Sequence, residues 1–357
     1  MRILFGVLQS EPSPGPRYRV LQFLPTLERA GFECEVMAAQ GLQSTATSLN
    51  SVSLRTAARA AHWSRTWTEN QTFLARLLRI LPEFDRVVLY RIPIPSWAEP
   101  LLKPHRRKLL YDYDDALDAV PEEGSWLEKL RGRVWGAALA RAVRCCNIIT
   151  TSNDRNADVV RSLGGRAEIL PTCLDVHRYA PGVSHGDRDS TVLGWIGTPS
   201  TAPYLSSIEG PLLKLNGTAR FEIRLVGAAN NPFRTLDVTL RPWHLESEVQ
   251  ETLSFDIGLM PMPTSDWSRG KAALKALQYG AAGLPTVASW TETNERILGT
   301  DAGTVLCRTD DEWAEALRRL ISDSQLRMRL GGRGRARVTD QYSIEAVAPR
   351  LIELLRE

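Results

Sequence analysis

The residues best suited to chemistry in this chain are Arg269 and Lys271, which flank a glycine in Trp267-Ser-Arg-Gly-Lys-Ala-Ala-Leu-Lys275. The apolar spacing from here reads as an amphipathic helix that ends at Gly283 and leads through Pro285 into a short strand, Thr286 to Ala288. A helix start offers unpaired backbone N–H groups and the positive end of its dipole. Two full positive charges beside it would hold a diphosphate. Taken alone, an Arg-Gly-Lys is more often a solvated basic turn ahead of an ordinary helix.

Other loops carry groups of similar interest. Glu11-Pro-Ser-Pro-Gly-Pro-Arg-Tyr-Arg19 would bring Gly15 close to a phosphate with Arg17 or Arg19 alongside, or serve as a rigid connector. Tyr111-Asp-Tyr-Asp-Asp-Ala116 gathers Asp112, Asp114 and Asp115, which are costly to hold together unless they meet hydroxyls, cations or solvent. No histidine accompanies them and Arg106, Arg107 and Lys108 precede them, so hydroxyl binding is favoured over a metal. The alternative is a helix cap by Asp114 or Asp115. Gly197, Thr198, Ser200 and Thr201 offer backbone and hydroxyl donors for a phosphate or sugar, although Ser200 or Thr201 would also cap a helix near Pro203. Trp243, at a helix entrance, would lie near a nucleobase or pack in the interior.

Alternating β-rich runs and helical patterns must position these groups, and they read as an α/β chain of two doubly wound domains. Strands are expected at Ile3–Leu8, Cys34–Ala38, Arg86–Tyr90, Lys108–Asp112, Ile148–Thr150 and Glu168–Leu170 in the first half. In the second they are expected at Thr191–Gly197, Phe221–Gly227, Val238–Pro242, Ile257–Pro261, Thr286–Ala288 and Thr304–Cys307. The polar turn-forming stretch Pro181–Ser190 reads as a linker. Two Rossmann-like domains, 1–182 and 190–342, are therefore expected to face each other across a cleft, with ligands beyond the carboxyl ends of the strands.

At 357 residues the chain exceeds what one core usually serves. A net charge of +3 is too small to argue for nucleic acid. Five cysteines without metal or disulfide spacing point to a reducing compartment. Arg141 and Arg144 interrupt the longest apolar run, and the N-terminus enters a strand without a leader, so a cytoplasmic protein is expected.

Read in order, these motifs, together with Phe-Asp-Ile-Gly-Leu-Met-Pro and Leu-Gln-Tyr-Gly-Ala-Ala-Gly-Leu-Pro-Thr-Val-Ala-Ser, resemble a retaining glycosyltransferase of family four across nearly the whole chain. The resemblance implies the GT-B fold, a UDP- or GDP-type nucleotide-sugar donor, no metal or other cofactor, and retention of anomeric configuration. The family's diphosphate-stabilising Arg and Lys match Arg269 and Lys271. Its ribose glutamate matches Gln278, and Gly270 falls near its sugar-contacting glutamate, so that contact departs from the pattern. The mechanism implied is front-face substitution, with Asp112 or Asp114 orienting the acceptor hydroxyl or bracing the developing oxocarbenium ion, Arg91 holding the acceptor or pairing with that carboxylate cluster, and Asp115 on the acceptor side. The closing segment, 343–357, is expected to pack back on the first domain. The acceptor would be a saccharide, a lipid-linked saccharide or a small metabolite. Arg55–Trp67, with its arginines and two tryptophans, would rest on an anionic membrane or form an ordinary surface helix. A nucleotide-sugar epimerase and a noncatalytic sugar-nucleotide sensor are the alternative functions.

Overall fold

The computed structural model describes residues 1–9, 13–41, 56–119, 126–179, 190–215, 217, 220–299 and 303–357. Residues 11, 12, 55 and 181–189, which belong to motifs named above, lie outside them. All twelve expected strands form: β1 (Arg2–Val7), β2 (Glu33–Ala38), β3 (Arg86–Tyr90), β4 (Leu109–Tyr113), β5 (Ile148–Thr151), β6 (Ala167–Ile169), β7 (Thr191–Ile196), β8 (Phe221–Val226), β9 (Thr239–Arg241), β10 (Ile257–Met260), β11 (Thr286–Ser289) and β12 (Thr304–Cys307). The central ones are covered on both faces. Every residue of β4, β5, β7 and β10 is buried, and they read as mainly apolar runs in which Asp112, Thr150, Thr151 and Thr191 are the polar exceptions.

The strands make two parallel six-stranded sheets, ordered β2-β1-β3-β4-β5-β6 and β12-β11-β10-β7-β8-β9. In the first the order reverses between β1 and β3, and in the second between β7 and β10. A reversal sends neighbouring crossovers to opposite faces and opens a crevice at the strands' carboxyl ends. The connections after β1, β3, β7 and β10 carry Gly15, Arg91, Gly197 and Lys271.

The chain forms two compact units. One comprises Met1–Thr172, Ser265–Ala272 and Val347–Glu357, and the other Cys173–Thr264 and Ala273–Ala346. The closing helix Ile344–Arg356 is tied into the first unit by the Arg86 guanidinium, which donates to the Leu355 carbonyl at 3.0 Å, and by Arg350 on Glu168 at 2.6 Å. Ser265–Ala272 also belongs to the first unit, although the chain before and after it builds the second.

The expected single helix from Arg269 to Gly283 is two helices. Ser265 and Ser268 form a capping box that starts a four-residue helix, Asp266–Arg269, and a second helix runs Leu274–Ala281. Between them Ala273 takes a left-handed conformation at φ +52°. Arg269 is thus in the last turn of a short helix and Lys271 follows its end, so neither cation stands at a helix N-terminus.

Candidate active site

In the first unit the carboxylate cluster at the end of β4 is saturated with cations. The Arg19 fork donates to both oxygens of Asp112, at 2.6 and 2.8 Å, and to the Leu170 carbonyl at 2.7 Å. Thr150 adds a hydroxyl to Asp112 at 2.8 Å. Burial pushes the Asp112 carboxyl up, against the pull of Arg19 and Thr150. Both side chains are interior, with 1% of Arg19 and 4% of Asp112 exposed. Asp112 therefore has no oxygen turned outward for an acceptor hydroxyl, and Arg19 is committed to it and not to a phosphate beside Gly15. These two expectations are corrected by the long-range pairing, which local sequence does not signal.

Gly15 lies against β3, where the Tyr90 hydroxyl would stand 2.1 Å from a Cβ at that position. Arg17 is buried, with its guanidinium over the Tyr18 ring at 5.0 Å. The helix Pro14–Arg19 thus turns these side chains into the first unit.

Asp114 is also buried, whereas Asp115 keeps a small accessible edge, 15% of its side chain. Arg91 donates to both oxygens of Asp114, at 2.6 and 3.0 Å, and its guanidinium reaches Asp115 at 3.3 Å. Tyr90 donates its hydroxyl to Asp114 at 3.3 Å. Arg91 sits at φ +53°, which costs a side-chain-bearing residue roughly 1–2 kcal/mol. Its N–H bond to the Asp112 carbonyl, at 3.2 Å, and the two carboxylates hold it there. Such strain is kept where a fold over-determines it, commonly at a functional site. No helix starts at Asp114 or Asp115, so the capping alternative is not realised.

The Lys271 ammonium lies 2.8 and 2.9 Å from the two oxygens of Asp115 and 4.0 Å from the centre of the Trp267 ring. Burial pushes the Asp115 carboxyl up, but Lys271 and Arg91 outweigh it and hold the group below its ordinary range. Arg269 pairs with Asp266 and is half exposed. Gly270 makes a close approach: a Cβ there would stand 2.2 Å from that of Ala116, so a glutamate at this place would need the segment to shift.

In the second unit the loop after β7 is folded on itself. Thr198 and Ser200 share a hydroxyl hydrogen bond at 2.8 Å, and Thr201 donates its hydroxyl back to the Thr198 carbonyl at 3.2 Å instead of capping the next helix. Gly197 leaves room for Lys275, whose Cε would be 2.7 Å from a Cβ at 197. Lys275 escaped the sequence reading, although its three-residue spacing from Gln278 places both on one helical face. Gln278 is buried and donates to the Tyr179 hydroxyl at 3.2 Å. Trp243 is half-buried, packs against the cluster that contains Ile196, Val226 and Tyr279, and donates its indole N–H to buried Glu248 at 2.9 Å.

Solved structures match the fold of this chain over nearly their full length. Sucrose-phosphate synthase from Thermosynechococcus elongatus superposes with a TM-score of 0.72, at 12% identity, covering 100% of this chain and 98% of that one. The chain has the GT-B fold. Anabaena HepE, solved with UDP-glucose, matches with a TM-score of 0.65 at 15% identity over 100% and 99% of the two chains. An E. coli protein solved with UDP-2-fluoro glucose matches this GT-B chain at 0.66 and 11%, over 100% and 99%. Residues 242–353 match the family described as glycosyl transferase-like, a stretch that includes Trp243, Lys271, Lys275 and Gln278. No curated protein matches the sequence.

Proposed function

We propose that the protein is a retaining glycosyltransferase that moves a sugar from a nucleoside-diphosphate sugar to an acceptor hydroxyl without a metal. The observation that carries this reading is the cation pair Arg269 and Lys271, which lies on the loop after β10 within the stretch matching the glycosyl transferase-like family. Neighbours of the same fold solved with UDP-glucose and UDP-2-fluoro glucose support a UDP-type donor.

In the proposed reaction the bond from the anomeric carbon to the diphosphate oxygen breaks and the acceptor oxygen bonds to the same face. The acceptor proton passes to the departing phosphate. Negative charge grows on the leaving oxygen, and preplaced cations stabilise that state more than the ground state. Arg269 and Lys271 meet the diphosphate, and Lys275 beside Gly197 adds a third cation. Thr198, Ser200 and Thr201 supply hydroxyls, Gln278 serves the ribose and the edge of Trp243 the base. Asp114, Asp115 and Arg91 receive the acceptor.

The reading includes a cytoplasmic enzyme that touches a membrane peripherally. No helix among the described residues is long and apolar enough to cross a membrane. Trp63 and Trp67, 46% and 42% exposed on the helix Thr56–Ile80 with Arg65 between them, form the contact.

The test is incubation with a panel of UDP and GDP sugars and hydroxyl acceptors, with and without a chelator, followed by NMR of the anomeric centre. A transferred sugar of unchanged configuration, formed equally in chelator, is expected. Epimerised free donor, or tight donor binding with neither transfer nor hydrolysis, would replace this reading with one of the alternatives.

A further inference from the structure

Asn153 and Asn156 take no part in the chemistry above, yet their side chains converge on one short piece of backbone. Asn153 caps the helix Asp154–Ser162, its Oδ1 accepting the Asn156 N–H at 3.0 Å. Its amide nitrogen donates to the Ser152 hydroxyl at 3.3 Å and to the Lys271 carbonyl at 3.2 Å. Asn156, fully buried, donates to the Gly270 carbonyl at 3.1 Å. In an unbroken helix those two carbonyls would accept the N–H groups of Leu274 and Lys275, four residues on. The amides take those acceptors, and the helical ladder is interrupted between Arg269 and Leu274. Ala116 packs so close to Gly270 that no side chain fits there, which seats the same peptide from the other side.

We propose that Asn153 and Asn156 are positioning residues for Lys271. They hold the carbonyls of residues 270 and 271, one on each side of the Lys271 α-carbon, and so fix where its side chain starts. The ammonium is thereby presented at Asp115, ready to exchange that carboxylate for a diphosphate oxygen. This inference rests on the reading of Lys271 as a diphosphate ligand.

Two variants separate positioning from folding. Asn153→Ser keeps a capping oxygen but withdraws the amide donor, and Asn156→Ala removes the other amide. In the full chain, the rate at which an amine-reactive ester labels Lys271 is measured by peptide mass mapping. UDP affinity is measured by calorimetry, in wild-type and Lys271→Ala backgrounds. Each asparagine variant is expected to raise Lys271 labelling severalfold and weaken UDP binding on the order of tenfold, with no further weakening when Lys271 is already alanine. Unchanged labelling in both variants overturns the proposal. So does raised labelling with unchanged UDP affinity, where Lys271→Ala itself weakens UDP. Unimpaired UDP binding by Lys271→Ala instead refutes the diphosphate assignment, and labelling then still decides whether the asparagines position the lysine.

Discussion

Lys271 and Asp115 are 156 residues apart in sequence, and their charged groups meet at 2.8 Å. The ammonium is therefore aimed and partly desolvated before any ligand arrives. In the proposed reaction a diphosphate competes with this carboxylate for the ammonium, and Arg91, 3.3 Å away, stays beside Asp115 when Lys271 turns to the diphosphate.

Lys271→Ala is expected to lower transfer by on the order of a hundredfold with the fold retained, since in the proposed mechanism it removes a preplaced charge that meets the leaving group. Arg269→Ala should lower it less, because its guanidinium is half exposed and paired with Asp266. Initial rates at saturating acceptor, with circular dichroism as the folding control, check both; wild-type rates would refute the assignment.

The Arg19–Asp112 pair behaves as structure. With only 1% and 4% of the two side chains exposed, Arg19→Met should destabilise the protein by about 3–5 kcal/mol by stranding a buried carboxylate. Denaturant titration measures this, and an unchanged midpoint would show the pair to be incidental.

Gly270→Glu, which brings the residue closer to the family pattern, should lower activity and not raise it, because the new side chain begins 2.2 Å from the Cβ of Ala116. Combining it with Ala116→Gly should recover part of the loss. Full activity in Gly270→Glu alone would mean that the segment shifts at no cost.

Asp115 gives a signed pH dependence. Its carboxyl is held below the ordinary value, so its contribution to stability is complete above that value, about 4, and is lost as pH falls through the lower folded one. Melting temperatures between pH 2 and pH 5 should fall more steeply in the wild type than in Asp115→Asn; parallel curves would contradict the pairing.

Gln278→Glu should preserve UDP binding. The Tyr179 hydroxyl that now accepts from the amide can turn to donate to a carboxylate, and a ribose hydroxyl can do the same. Abolished UDP binding in calorimetry would count against the ribose assignment.

Much of the architecture was legible in advance. All twelve strands lie within a residue or two of their expected limits, because the central ones are covered on both faces and are mainly apolar while turn formers bound the more exposed edge strands β2, β6 and β9. The loops after them were legible as sites for the same reason: polar and glycine-rich stretches cannot continue a buried strand. The helix beginning at Arg269 was misread because its apolar spacing runs on through the break. The carbonyls that would have closed it are taken by Asn153 and Asn156, more than a hundred residues away in sequence.

The order of apolar runs and turn formers determined the two sheets, and the residue types in the loops determined that Arg269, Lys271 and the aspartates were the groups to watch. Tertiary structure decided which charges remain for chemistry. Asp112 and Asp114 have the same side chain two positions apart, yet one is locked by Arg19 and Thr150 in the interior and the other faces a strained Arg91. Pairing depends on where the fold brings distant chain segments together, and a carboxylate's own neighbours in sequence carry no record of the cation that will reach it.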